Sequence, residues 1–238
     1  MKVFITGGAR SGKSDFAERY AMRSAASGVY IATSQAWDDE MRERIGRHQE
    51  VRAASGFPWR TVEEPFELAA AIRRLDQEAA AVQGGARPAI VVDCLTLWLT
   101  NWLLRLEPLE EAEAVPPQGQ SMEQNAEQNA ELNTKQSADM LQSETPHNET
   151  SAAQPGRLEL KDVIDDLIDA VSGCSSPLFL VTNEVGSGIV PAYALGRRFR
   201  DEAGRLNRGL AAACGEAYLV VAGFPLDLKA HAFRLEDA

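Results

Sequence analysis

Gly7-Gly8-Ala9-Arg10-Ser11-Gly12-Lys13-Ser14 is the stretch whose reading decides the fold. It fits the phosphate-loop pattern G-x-x-x-x-G-K-[ST], with Gly7, Gly12, Lys13 and Ser14 in the fixed places. Before it, Val3-Phe4-Ile5-Thr6 is a β-branched and aromatic run that predicts a buried strand. After it, Phe16, Ala17, Tyr20, Ala21 and Ser24 recur at helical spacing from Lys13 to about Ala26. The glycines therefore stand where a strand turns into a helix. Loop amides and the free N–H groups of the helix N-terminus converge there on an anion. Lys13 is expected to reach the β- and γ-phosphates of a nucleoside triphosphate, and Ser14 to offer a hydroxyl to Mg²⁺. A Gly-rich turn with a chance lysine explains neither the strand before nor the helix after.

The chain has 238 residues, 45% of them hydrophobic, enough for one α/β domain with a full core. No apolar run reaches the roughly 18 residues of a membrane-spanning helix. The N-terminus runs straight into the first strand, leaving no room for a signal peptide. Cys94, Cys174 and Cys214 are far apart, with no C-x-x-C pair. They read as small buried hydrophobes in a reducing cytosol. A net charge of −11 argues against a nucleic-acid partner but is unevenly placed, since Glu107–Arg157 carries −8 and the remainder only −3.

Further along, Val29–Ala32 reads as a second strand ending in the polar Thr33-Ser34-Gln35, where open parallel sheets place ligands. Asp38-Asp39 opens a charged helix to about Ala53, with its acids early and arginines late, as the helix dipole prefers. Trp59–Val62 suits a short edge strand, Phe66–Val82 an Ala-rich amphipathic helix ended by Gly84-Gly85, and Ala89–Asp93 a strand finishing in a carboxylate. Leu95–Leu106 is apolar nearly all round and predicts burial in the core or at a subunit contact. From Glu107 to about Arg157 there is no aromatic residue, and Glu-Gln-Asn-Ala repeats at 123–126 and 127–130. Such a segment buries too little apolar surface to offset its ordering entropy and predicts a disordered polar insert, not a second domain. Helix, strand, helix and strand follow at Leu158–Val171, Leu178–Thr182, Tyr193–Cys214 and Ala217–Val221. Alternating elements with short continuous apolar strands mean a mostly parallel sheet covered by helices on both faces. The expected fold is one phosphate-loop α/β domain over 1–238, interrupted at about 107–157.

Two positions carry further chemistry. Asp93, after four apolar strand residues, fits the second acidic motif of phosphate-loop enzymes and would help Ser14 hold Mg²⁺. His48 has Arg44 and Arg52 at i−4 and i+4, so all three share one helix face. Two guanidiniums disfavour charging of the imidazole, leaving it neutral and nucleophilic, and could clamp phosphate oxygens. From spacing alone, an ordinary charged helix surface is the favoured reading. Metal-ligand clusters, a G-x-S-x-G elbow and the Asn-Lys-x-Asp guanine-reading motif of switch GTPases are all absent.

Taken in order, the phosphate loop, Tyr30-Ile31-Ala32-Thr33-Ser34-Gln35, Asp39-Glu40-Met41, Arg44-Ile45-x-x-His48-x-x-x-Arg52 and Trp59-Arg60-Thr61-Val62-Glu63 form a specific string. Asp93-Cys94-Leu95-Thr96, Thr182-Asn183-Glu184-Val185-Gly186-x-Gly188-Ile189-Val190-Pro191 and Phe199-Arg200-Asp201-x-x-Gly204-x-x-Asn207 continue it. Together they resemble the bifunctional adenosylcobinamide kinase / adenosylcobinamide-phosphate guanylyltransferase family of cobalamin synthesis. The resemblance covers residues 1–104 and about 158–229, leaving the insert without a counterpart. It implies that His48 carries a covalent guanylyl group. Nucleotide contacts are implied at Gly7, Gly8, Ala9, Arg10, Ser11, Gly12, Lys13 and Ser14, at Thr33, Ser34 and Gln35, at Gln49, Glu50, Val51 and Arg52, and at Glu63 and Asp93. A recombinase-type (RecA-like) phosphate-loop fold, a homotrimer, a corrinoid substrate, GTP and ATP as co-substrates, and a cytoplasmic setting are implied as well.

In the reaction so implied, adenosylcobinamide first takes the γ-phosphate of a nucleoside triphosphate. His48 then attacks the α-phosphorus of GTP, and adenosylcobinamide phosphate collects the guanylyl group. Two other readings stand beside it: a phosphate-loop small-molecule kinase in which His48 is structural, and a nucleotide-gated binding module with the acidic insert as its partner arm.

Overall fold

A computed structural model describes residues 1–35, 43, 46, 49, 50, 52–82, 85–106 and 158–233. Outside it fall His48, Arg44 and Val51, most of the segment expected as the helix from Asp38, Gly84, and the whole Glu107–Arg157 insert. The chain divides into a unit of Met1–Pro108 with Leu158–Ala238 and a second unit, Leu109–Arg157, which lies outside the described residues.

Seven strands form one sheet: β1 (Lys2–Gly7), β2 (Gly28–Ala32), β3 (Trp59–Glu63), β4 (Ala89–Asp93), β5 (Leu178–Asn183), β6 (Glu216–Val221) and β7 (Phe224–Asp227), in the order β3-β2-β4-β5-β1-β6-β7. All pairings are parallel except β6–β7. The interior strands are short runs of Val, Ile, Leu and Phe because both faces are covered, and alternate residues serve alternate layers. Val3, Ile5, Val91, Phe179 and Val181 meet Ala17 and Ala21 of helix α1 (Lys13–Ser24). Phe4, Ile31, Ile90, Val92 and Leu180 point the other way. They pack with α2 (Leu68–Ala81), α3 (Leu95–Leu106), α4 (Leu160–Gly173) and α5 (Ala194–Ala213).

The all-round apolar character of α3 is satisfied inside its own chain. Leu95, Trp98, Leu99, Trp102 and Leu103 are buried, and the indole N–H groups of Trp98 and Trp102 both donate to the carbonyl of Phe66, at 2.8 and 3.0 Å. Trp59–Glu63 is an edge strand, as its brevity predicts. The chain also has an element that the sequence reading omits. After β6 it turns at Ala222 and Gly223, both with positive φ (51° and 85°), and returns antiparallel as β7. Pro225 is tolerated there because β7 is the other edge.

Register decides where the site is. Gly7 pairs with Asn183, Asp93 with Val181, and Ala32 with both Asp93 and Glu63. The C-terminal ends of five adjacent strands therefore lie along one edge, and the polar residues that follow them face the same rim.

Candidate active site

The phosphate loop leaves β1 at Gly7 and enters α1 at Lys13. Gly7 is fixed by close approach: a Cβ there would lie 2.4 Å from the carbonyl oxygen of Val220. Gly12 caps the helix with φ 90°, a left-handed conformation that side chains disfavour. Arg10 also has positive φ, 57°. The Gly223 N–H donates to the Ser11 carbonyl at 2.8 Å, so the β6–β7 hairpin tip fastens the loop. Lys13, although buried, turns its ammonium back over the loop and donates to the Gly8 carbonyl at 3.1 Å. Gly8, Ala9 and Arg10 are exposed at the rim, and Ser14 is half-buried at the first turn of α1.

Across β5 from the loop, the Asp93 carboxylate closes β4 and accepts from the Tyr30 hydroxyl at 2.8 Å. The Asp93–Cys94 peptide is cis. Thr33 is fully buried and serves the backbone: its hydroxyl donates to the Cys94 carbonyl at 2.7 Å and accepts from the Cys94 N–H at 2.9 Å. Of that trio, Ser34 and Gln35 are half-exposed, while Glu63, Gln49 and Glu50 are exposed.

Arg52 departs most from its expected setting. It is 4% exposed, not a solvated surface charge. Its guanidinium donates to Glu18 of α1 at 3.3 Å and lies 3.7 Å from the centre of the Tyr30 ring. One buried network thus joins α1, the helical segment carrying Arg52, β2 and the Asp93 carboxylate through Tyr30. Burial pushes the Glu18 carboxyl up to about 7, outweighing the attraction of Arg52, while Asp93 and Asp15 add repulsion. Burial, and then Asp93, holds the Tyr30 phenol well above its ordinary value. The sequence reading omits Glu18 altogether. It sits between Ala17 and Arg19, and only the remote Arg52 marks it as internal.

Asn101 is a second omission, with a visible signal as an amide in an otherwise apolar helix. Its Nδ2 donates to the carbonyls of Thr33 (2.9 Å) and Pro65 (3.0 Å), pinning the chain beyond β2 and β3. Other motif residues form scaffold as well. Thr96 Oγ1 accepts from the Asn183 N–H at 2.8 Å, Thr182 donates to Asn207 Oδ1 at 2.9 Å, and Asn207 Nδ2 returns to the Asn183 carbonyl at 3.2 Å. The cysteines are buried as expected. Burial raises the Cys94 thiol to about 11, which removes it as a nucleophile near neutrality.

The donor set is hard oxygen: the Ser14 hydroxyl and the Asp93 carboxylate. The hydroxyl oxygens of Thr6, in β1, and of Ser11, in the phosphate loop, are buried without a hydrogen-bond partner among the described residues. No group of three or more His, Cys, Asp or Glu gathers among those residues. Mg²⁺ keeps several waters and binds one or two carboxylates plus phosphates, so this sparse set fits it.

A glycine loop between a central parallel strand and a helix, with a carboxylate ending a nearby strand, defines a phosphate-loop nucleotide-binding α/β protein. The chain belongs to the cobinamide kinase / cobinamide phosphate guanyltransferase family, CobU, which matches residues 3–228. It is 38% identical to the bifunctional adenosylcobalamin biosynthesis protein CobP of Pseudomonas aeruginosa, over 96% of this chain and 98% of that one. It is 37% identical to the bifunctional adenosylcobalamin biosynthesis protein CobU of Salmonella typhimurium and 34% identical to that of Escherichia coli, in each case over 96% of this chain and 100% of the relative.

Proposed function

We propose that the protein phosphorylates adenosylcobinamide with a nucleoside triphosphate and then makes adenosylcobinamide-GDP through a guanylyl group carried on His48. The two activities are those of its family. The observation that carries the finer reading is the convergence on one sheet edge of the phosphate loop, Asp93, the 33–35 strand end and Glu63, with Arg52, four residues beyond His48, anchored on the phosphate-loop helix.

In the kinase step the substrate hydroxyl attacks the γ-phosphorus, and the bond to the β-phosphate oxygen breaks. The loop amides and Lys13 align the triphosphate and neutralise its developing charge. In the transferase step the neutral His48 imidazole attacks the α-phosphorus of GTP, a P–N bond forms, and pyrophosphate leaves. A phosphate oxygen of adenosylcobinamide phosphate then attacks the guanylyl phosphorus, and the P–N bond breaks to regenerate His48. Mg²⁺, held by Ser14 and Asp93, would add charge neutralisation to both. The other phosphate-loop residues Gly7, Gly8, Ala9, Arg10, Ser11 and Gly12 are assigned to cradle phosphates through their backbone, and Ser34, Gln35, Gln49, Glu50, Val51, Glu63 and Asp93 are assigned to the guanylyl donor, with Arg52 acting through its buried network with Glu18 and Tyr30. Thr33 contributes there through its buried backbone bridge. A cytoplasmic homotrimer that takes corrinoids completes the reading. Among the described residues no helix is long and apolar enough to cross a membrane.

Intact-mass measurement after incubation with GTP and Mg²⁺ tests the proposal. The protein gains one guanylyl group, and His48→Ala gains none while retaining measurable phosphorylation of adenosylcobinamide. A guanylyl adduct on His48→Ala would place the nucleophile elsewhere. Loss of kinase activity in a folded His48→Ala protein would tie the imidazole to both steps.

A further inference from the structure

Among the candidate nucleotide contacts beyond the loop, Thr33, Ser34, Gln35, Glu63 and Asp93 stand at the ends of β2, β3 and β4. The loop has a second flank. Between α1 and the β6–β7 hairpin lies a cavity of about 530 Å³ that begins at Gly12, the last glycine of the phosphate loop, and runs along the helix to Arg23. Its volume is in the range of small-molecule pockets. It suits a nucleoside and is too small for a corrin macrocycle with its side chains.

The walls are chemically selective. Phe16, Tyr20 and Tyr218 form an aromatic cluster with ring centroids 5.2–6.1 Å apart. Both phenol hydroxyls donate to Glu216 Oε2, at 2.7 and 3.0 Å, which fixes the rings. The exposed Arg19 and Arg23, one helical turn apart, stand along the same wall with the exposed carboxylate of Asp15. Fixed aromatic rings offer a stacking surface for a base, and the guanidiniums add cation–π contact with its face. The floor is tied to the phosphate cradle through the Gly223–Ser11 hydrogen bond.

We propose that this pocket holds the base and ribose of the phosphoryl donor in the kinase step, with its triphosphate in the Gly7–Ser14 cradle. The guanylyl donor uses the same cradle with its base on the opposite flank. The inference rests on the proposed two-reaction reading and assigns each reaction its own base site.

Irradiation of the full-length protein with 8-azido-ATP and, separately, 8-azido-GTP, followed by peptide mapping against dark controls, reads the position of the base directly. From at least one of the two probes, light-dependent label is expected within 15–23 or 216–227, while 8-azido-GTP bound as guanylyl donor is expected to label the opposite flank, 33–35 or 49–63. Label from both probes confined to 33–35 or 49–63 overturns the proposal, as does protection of the pocket by cobinamide alone, which would assign it to the acceptor. In kinetics, Tyr218→Ala should raise the KM of the kinase donor about tenfold more than the KM of GTP in guanylylation, given the usual worth of base stacking. Tyr218→Phe should recover most of that loss, and equal rises in both reactions would refute separate base sites. Should Tyr218→Ala fail to fold, the labelling of the unaltered protein still decides. Because labelling reads binding alone, a labelled pocket in a protein that leaves cobinamide unphosphorylated counts against the proposed function and not against the pocket.

Discussion

Glu18→Gln isolates the buried network behind the site. The Glu18 carboxyl titrates at about 7 in the folded chain against 4.5 for an unperturbed glutamate. Between those values the native state holds a proton that the unfolded state has lost. Stability therefore falls as pH rises through this window and levels off above it. A shift of about 2.5 units corresponds to at most about 3 kcal/mol, or about 2 kcal/mol once residual solvent screening is allowed for. Glutamine keeps the shape and an acceptor for Arg52 but does not titrate. The stability of Glu18→Gln minus that of the unaltered protein should thus rise by about 2 kcal/mol between pH 4.5 and pH 8, most of it between pH 5 and pH 7. Urea unfolding of both proteins at pH 5, 6, 7 and 8, free of nucleotide and divalent metal, measures the difference and subtracts every other titrating group. A difference that stays flat to within about 0.5 kcal/mol would mean that Glu18 remains ionised throughout and that Arg52, not burial, dominates its setting.

Lys13→Ala should abolish both cobinamide phosphorylation and guanylylation, measured by product formation and by intact mass, because one phosphate cradle serves both. Near-normal guanylylation in that variant would put the transferase GTP elsewhere. Replacing Pro108–Pro155 with a short Gly/Ser linker should leave both activities within a few-fold, since a polar, aromatic-free segment has little to give a core; loss of soluble expression would refute this. Asn101→Ala should lower stability in urea by about 2 kcal/mol, because it leaves the Thr33 and Pro65 carbonyls without their donor.

The parallel strands were legible because each buried strand must be apolar on both faces, which leaves short runs such as Val3–Thr6 and Ala89–Asp93 standing out from their flanks. The turn at Ala222 was hidden for the opposite reason. Positive φ at an alanine has no compositional mark, and Pro225 reads against a strand unless its edge position is known. At the site, the phosphate loop announced itself because Gly7 and Gly12 each answer a local constraint, close approach at the first and a left-handed backbone at the second. Arg52 did not, since helix periodicity gives the face of a residue but not what packs on it. Burial of Arg52 depends on Glu18, 34 residues earlier, and on a ring in β2. Thr33 similarly reads as a ligand-facing hydroxyl until β4 is placed beside β2, when Cys94 takes both its hydrogen-bonding roles.

The two proposed reactions place opposite demands on one cradle. Phosphorylation needs an acceptor in line with the γ-phosphorus, whereas guanylylation needs the imidazole in line with the α-phosphorus and room for pyrophosphate to leave. A single nucleotide pose would require two attack trajectories converging on atoms two phosphates apart. The two base sites proposed above would remove that conflict. The loop follows β1, an interior strand, with β5 and then β4, β2 and β3 on one side and the β6–β7 hairpin on the other. On the proposed two-flank reading, a triphosphate in that cradle carries its base to the hairpin side in one reaction and to the β4 side in the other. On this argument the hairpin that closes the second flank is part of the catalytic design, and the Gly223–Ser11 hydrogen bond is what keeps that flank in register with the loop.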